Sequence, residues 1–211
     1  MKKFLPLFLF IVTVSVTASA QEMRYGVVGA INFDSYSMES ADFSIDSDSR
    51  VGFRVGFRAE MDASFIYRGF YFDGEAVLSS KGAEFSGVNG DMLANVTSRP
   101  YYLEIPIHIG YKYLFGDDDF GVFGSFGPYF GIGLFGKDKY FTGNETTKID
   151  SFSNNNLKRF DFGLGLRGGI CMFDHYRLYL GYDWGLVNIS QIGNGVKAYN
   201  RNFYIGASYM F

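Results

Sequence analysis

One cysteine, Cys171, and two histidines, His108 and His175, are all that the 211 residues contain of these types. A lone cysteine cannot close an internal disulfide; it reads as a small packing residue on a strand. No His or Cys spacing of the kind that holds zinc occurs, so no metal site is expected. The formal charge of −3 is too small to imply nucleic acid or an anionic surface as partner. There is no low-complexity tract, no repeat of solenoid length and no linker. Beyond residue 20 there is no long apolar run, and a transmembrane helix needs about 20 such residues. What the chain has instead is aromatics and glycine: 24 Phe, 16 Tyr and 27 Gly, well above ordinary usage.

The two ends read as an address. Lys2 and Lys3 precede an apolar stretch from Phe4 to Val16, and Ala18-Ser-Ala20 stands before Gln21. This pattern predicts a secretory signal peptide over residues 1–20, removed after Ala20. One mature domain over residues 21–211 is then expected from length alone. No Cys follows the cleavage site, so no lipid anchor is expected. At the other end, Phe203, Ile205, Ala207, Tyr209 and Phe211 alternate with Tyr204, Gly206, Ser208 and Met210. Period 2 means a strand. With Gly206, Tyr209 and the final Phe211 it resembles the C-terminal sorting strand of outer-membrane barrels.

Period 2 recurs in eight segments, roughly Arg24–Phe33, Val51–Met61, Ile66–Ser80, Tyr101–Tyr113, Phe120–Leu134, Arg159–Met172, Tyr176–Ile189 and Asn202–Phe211. Each is long enough for a tilted membrane strand. Residues 34–50, 81–100, 135–158 and 190–201 are expected to be long polar loops; 62–65, 116–119 and 173–175 are expected to be short turns. Short periplasmic turns alternating with long outer loops are the arrangement of an outer-membrane barrel.

One face of these segments is apolar, as in Val51, Phe53, Val55 and Phe57, or Leu103, Ile105, Ile107 and Ile109. The other carries glycine and charge: Arg54, Arg58, Lys112, Arg167 and Arg177 against Glu60, Asp73, Glu75, Glu104, Asp161 and Asp183. A soluble barrel would turn the apolar face inward. Three features favour the opposite. Strand glycines on a wet face would surrender packing for nothing, whereas a lumen filled by side chains needs the room they leave. Tyr25, Phe33, Tyr101, Tyr111, Tyr113, Tyr209 and Phe211 fall near strand ends, as interfacial girdles do. The inward charges nearly balance, which charges removed from water require. The expected fold is therefore all-β, an eight-stranded antiparallel up-and-down transmembrane β-barrel. Its predicted lumen charge network is Arg54, Arg58, Glu60, Glu75, Glu104, Asp161, Arg167 and Asp183.

Several segments resemble the PorT-like outer-membrane β-barrel family of Bacteroidota-type bacteria. They are Glu75-Ala-Val-Leu-Ser-Ser-Lys-Gly82, Tyr102-Leu-Glu-Ile-Pro-Ile107, Gly127-Pro-Tyr129, Phe160-Asp-Phe-Gly163 and Tyr182-Asp-Trp-Gly-Leu-Val-Asn188, in that order, together with Gly26–Phe33 and the final strand. The chain departs from the family at Ala76, where a larger apolar residue is usual, and at Gly181, where arginine is common. What the resemblance implies is a fold and a location in the bacterial outer membrane.

Catalytic chemistry finds little support. Enzymes on eight-stranded barrels act on lipid with a Ser–His pair, but His108 falls on the inward face and His175 in a short turn. No outward serine is placed near either, and no cofactor is implied. A narrow, charge-filled lumen also argues against a general porin, because channel-forming barrels use about 16 strands. The leading expectation is a structural or interaction protein of a Gram-negative envelope. Its partners would be outer-membrane lipid, the barrel-assembly machinery during insertion, and envelope proteins reached through the four long loops. An accessory role in secretion or small-solute transport is the alternative. The first loop, with Asp34, Glu39, Asp42, Asp46 and Asp48, is acidic and is read as a solvated surface.

Overall fold

The computed structural model describes residues 23–39, 44–89, 92–115, 119–142, 145–153, 156–191 and 196–211. The predicted signal peptide lies outside the described residues. Among the described residues the elements are all strands: β1 (Met23–Glu39), β2 (Ser44–Asp46), β3 (Arg50–Asp62), β4 (Phe70–Ser80), β5 (Ala83–Asn89), β6 (Met92–Phe115), β7 (Phe120–Thr142), β8 (Glu145–Asp150), β9 (Phe160–Met172), β10 (Tyr176–Gly185) and β11 (Lys197–Met210).

Eight of them form a closed antiparallel ring in the order β1, β3, β4, β6, β7, β9, β10, β11, and β11 returns to pair with β1 from Gly26↔Met210 to Glu39↔Lys197. Closure removes the free sheet edges that would otherwise invite aggregation. β2, β5 and β8 are short additions to β1, β6 and β7, all at one end of the ring.

The alternation of the sequence becomes an inside and an outside. Val55, Phe57, Ile107, Leu180 and Ile205 are exposed, with Phe57 reaching 70 %, while Arg54, Arg58, Glu104, Arg177 and Tyr204 between them are buried. The barrel therefore wears its apolar side chains outside. At about 25 cal/mol per Å², so continuous an apolar surface is unfavourable in water and favourable against lipid.

The inner glycines are occupied positions. Tyr71 pairs across the sheet with Gly110, Tyr129 with Gly163, Tyr179 with Gly206 and Tyr204 with Gly181. In each pair the ring lies over the glycine, and a Cβ there would come within 2.2–2.6 Å of it. The tyrosines thus lie flat along the wall and leave the axis to the charged side chains.

Three expectations need correction. The stretches taken as long loops are largely sheet: β1 runs on to Glu39, β6 begins at Met92, β7 continues to Thr142 and β11 begins at Lys197, with β2, β5 and β8 alongside. In these extensions the buried side chains mix polar with apolar, Asp34, Tyr36, Ser98, Asp138 and Ala198 among them, so no apolar stripe marks them in the sequence. Next, the segment predicted from Ile66 becomes a strand only at Phe70. Ala63–Gly69 form a turn closed by Ala63 N–H to Phe70 O and Ile66 N–H to Ala63 O, both 2.9 Å. Gly69, at φ +92°, takes the left-handed conformation that suits glycine. Finally, β10 stops at Gly185 rather than Ile189; Leu186 still donates to Phe162 O at 2.8 Å, and Ile189 turns to Ala198 O at 2.9 Å.

At the short-turn end, Phe173 and Asp174 adopt φ of 51° and 59°, the left-handed pair that a type I′ hairpin turn uses. Within β6, Pro106 has no N–H to donate, and the pairing with β4 lapses between Val77↔Glu104 and Gly74↔Ile107.

Candidate functional site

The concentrated chemistry of the molecule lies along the barrel axis in three tiers. Near the short-turn end, Glu60 on β3 receives Lys112 Nζ from β6 at 2.9 Å and Arg177 from β10 at 2.8 Å. Arg177 sits between the rings of Tyr71 and Phe123, with centroids at 5.6 and 5.5 Å. A vestibule of about 750 Å³ opens at this end, and Glu60, Tyr71 and Lys112 are among its lining residues.

In the middle tier, Asp73 on β4 is shared. Arg58 donates to Oδ2 at 2.8 Å and Arg167 to Oδ1 at 3.1 Å. Arg167 also bonds Glu75 and donates to His108 Nδ1 at 2.9 Å. An arginine can only donate, so this contact identifies Nδ1 as the acceptor nitrogen of His108.

In the upper tier, Arg54 on β3 donates to Glu104 at 3.0 Å and to Asp183 at 2.6 Å, beneath the Tyr204 ring at 4.3 Å. Lys81 bridges Glu104 and, at 3.1 Å, Asp161. Asp161 also accepts from Tyr129 at 3.1 Å and Asn200 at 2.8 Å.

All eight residues of the predicted network are buried on the inner face, joined by Asp73, Lys112 and Arg177. Lys81 was missed. It follows β4 in a stretch assigned to a loop, yet it is fully buried and stands over Tyr129 at 4.6 Å. One signal pointed to it. The inward charges read from the strands were five cations against six acids, and Lys81 supplies the sixth cation. Asp34, counted with the acidic first loop, is likewise buried; it lies on β1 opposite Asn202 and Arg50.

Burying this many charges is tolerable only because they face one another. Each ion alone would bear a desolvation cost of several kcal/mol, and mutual attraction in a low-dielectric interior offsets it where the geometry is good. Arg58 pairs along the wall with Glu60, Asp73 and Glu75, whereas the bridges from β4 to β9 and from β3 to β10 span strands distant around the ring and so cross the axis.

A Ser–His pair acting on lipid would have to lie on the outer face. On the inner face Ser125 Oγ lies 3.5 Å from His108 Nδ1, but that nitrogen already accepts from Arg167, and both residues are buried. Such a histidine has no lone pair free to activate the hydroxyl. Among the described residues, no group of three His, Cys, Asp or Glu side chains is arranged to hold a metal ion. Of the predicted sorting-strand residues, Gly206 lies inside beneath Tyr179. Tyr209 and Phe211 point outward, and Phe211 N–H bonds Tyr25 O at 2.8 Å where β11 meets β1.

Comparison with curated proteins finds no match. Similar solved structures include Ail, the attachment invasion locus protein of Yersinia pestis, at 12% identity and TM-score 0.40, covering 90% of this chain and 99% of that one. Neisserial surface protein A is similar at 13% identity and TM-score 0.40, covering 88% and 97%. The outer membrane protein OprG of Pseudomonas aeruginosa is similar at 14% and 0.40, covering 90% and 94%. At these identities and TM-scores the likenesses carry no argument about this chain. A family model described as outer membrane protein beta-barrel domain matches residues 19–191. By that match, which takes in most of its length, the chain belongs to the outer membrane protein beta-barrel domain family and resides in the outer membrane.

Proposed function

We propose that this protein is a membrane-anchored structural or interaction component of the cell envelope, with a lumen sealed by its own side chains. The observation that carries this reading is the cross-axis ion network, from Glu60–Arg177 at one end to Lys81–Asp161 at the other. It occupies the path a solute would take, and opening it would require breaking buried pairs at about 3–5 kcal/mol each. What remains available for recognition is the end carrying the strand extensions and β2, β5 and β8. We assign that end to the outside of the cell, since long connections gather there and short turns gather at the other end. Partners would be engaged through residues 34–50, 81–100, 135–158 and 190–201, and the barrel-assembly machinery through the final strand with Gly206, Tyr209 and Phe211.

The order of the motifs from Glu75–Gly82 to Tyr182–Asn188 supports a place among the PorT-like barrels, and removal of residues 1–20 on export fits the outer-membrane address. The protein has no enzymatic role in this reading, because the Ser125–His108 contact is enclosed and its acceptor nitrogen is taken. Planar-bilayer recording of purified protein tests the sealed lumen. No steady current is expected; a stable ohmic conductance would overturn the reading in favour of an accessory role in secretion or solute transport.

A further inference from the structure

The extended end of the barrel holds a second cavity, of about 250 Å³, separate from the axial network. Its walls are apolar: Met38, Phe85, Val96, Tyr140, Leu157 and Ala198, drawn from β1, β5, β6, β7, β11 and the connection after β8. Its polar end is Asp138, which is 5 % exposed. The Asp138 carboxylate accepts from Ser98 Oγ at 2.8 Å, Ser151 Oγ at 2.6 Å and Asn156 Nδ2 at 3.4 Å. All three donors are neutral groups that orient the carboxylate.

That charge has no counter-ion. Every axial carboxylate in the three tiers is bridged to Lys or Arg, whereas among the described residues no Lys, Arg or His nitrogen lies within 4 Å of Asp138. The segments outside the described residues between positions 40 and 195 are Ser40–Phe43, Gly90–Asp91, Gly116–Asp118, Gly143–Asn144, Asn154–Asn155 and Ile192–Gly195, and they contain no basic residue. A buried carboxylate without a cation is costly, and here it lines a cavity that opens to solvent.

Beside it, the rings of Tyr36 and Phe85 lie 6.3 Å apart, with Tyr140 also in the wall. Burial pushes the Tyr36 hydroxyl above the ordinary phenol range, so it stays neutral. Aromatic faces next to a carboxylate attract organic cations, through the ring quadrupole and the full charge together.

We propose that this cavity is a binding site for a small organic ammonium ion, with the cationic nitrogen on Asp138 and an apolar body against Phe85, Val96 and Ala198. The site is independent of the sealed lumen, since none of its residues belongs to the axial network, and it would stand if the lumen conducted.

The test uses the full mature chain refolded in detergent, with phenethylammonium as probe and 2-phenylethanol as its neutral counterpart, read by calorimetry or saturation-transfer NMR. Phenethylammonium is expected to bind at least about tenfold more tightly than the alcohol. Asp138→Asn, which keeps an acceptor oxygen for the serines, should abolish that preference. Ala198→Leu, which fills the cavity and leaves the charge, should weaken both ligands. Heat-modifiable migration on gels reports that each variant is folded. Equal binding of the two probes, an unchanged preference in Asp138→Asn, or no binding up to about 20 mM would each overturn the proposal. Should Asp138→Asn not fold, the comparison of the two probes on wild type and Ala198→Leu decides alone.

Discussion

Lys81 Nζ lies 3.1 Å from Asp161 Oδ2, joining the end of β4 to the start of β9 across the axis of the barrel. No other cation among the described residues bridges Asp161. Lys81→Met would leave that carboxylate buried with only Tyr129 and Asn200 as donors. The expected loss is about 3–5 kcal/mol, read as a lower urea midpoint for the detergent-refolded protein. Adding Asp161→Asn should recover a large part of it by removing the stranded charge. A loss below about 1 kcal/mol in the single variant would mean that the pair contributes nothing measurable.

The Gly181–Tyr204 contact makes a different kind of prediction. A Cβ at Gly181 would stand 2.2 Å from Tyr204 Cζ, and the ring in turn covers Arg54. Gly181→Val should therefore destabilise by about 1–3 kcal/mol, the scale of overpacking. The same substitution combined with Tyr204→Ala should cost less than the sum of the two, as expected for residues in contact. Additive losses in a double-mutant cycle would show that the ring is free to move away. The same geometry leaves no room for a long side chain at position 181, because Tyr204 fills it.

Outward positions respond to charge instead. Leu180 lies midway along β10 and is 53 % exposed. Leu180→Arg should cost about 2–4 kcal/mol in lipid, the midplane value for a barrel surface. Folding titrations in phospholipid vesicles measure this, and a neutral outcome would place position 180 outside the hydrocarbon.

How much of this was legible in the sequence follows from what each segment faces. Val51–Met61 and Tyr101–Tyr113 separate lipid from lumen residue by residue, so alternation reveals them. The ribbon from Lys137 to Thr142 sets the exposed Lys137 beside the buried Asp138, a charged residue on each face, and so shows no apolar stripe, although it pairs with β6 and β8 throughout. Ile66 and Tyr67 misled in the other direction. They are exposed apolar residues of a turn at the short-turn end and mimic the start of a strand. Lys81 was hidden because a Lys-Gly dipeptide after a strand reads as a loop. Only the imbalance of inward charge pointed to it.

Catalysis is tested on Ser125. With His108 Nδ1 accepting from Arg167 at 2.9 Å, the hydroxyl has no base. Incubation of the protein with lipid A or phospholipid should leave their masses unchanged, for wild type and Ser125→Ala alike. A mass change made by wild type and lost in Ser125→Ala would contradict the arrangement described.

The central claim is that the apolar face meets lipid while the charged face fills the axis. Single cysteines at Ile107, Leu180 and Ile205, in a Cys171→Ala background, can carry nitroxide labels in reconstituted bilayers. Collision rates measured by electron paramagnetic resonance should be high with oxygen, which partitions into lipid, and low with a water-soluble nickel chelate. Labels at these three positions that collide freely with the chelate would contradict the account.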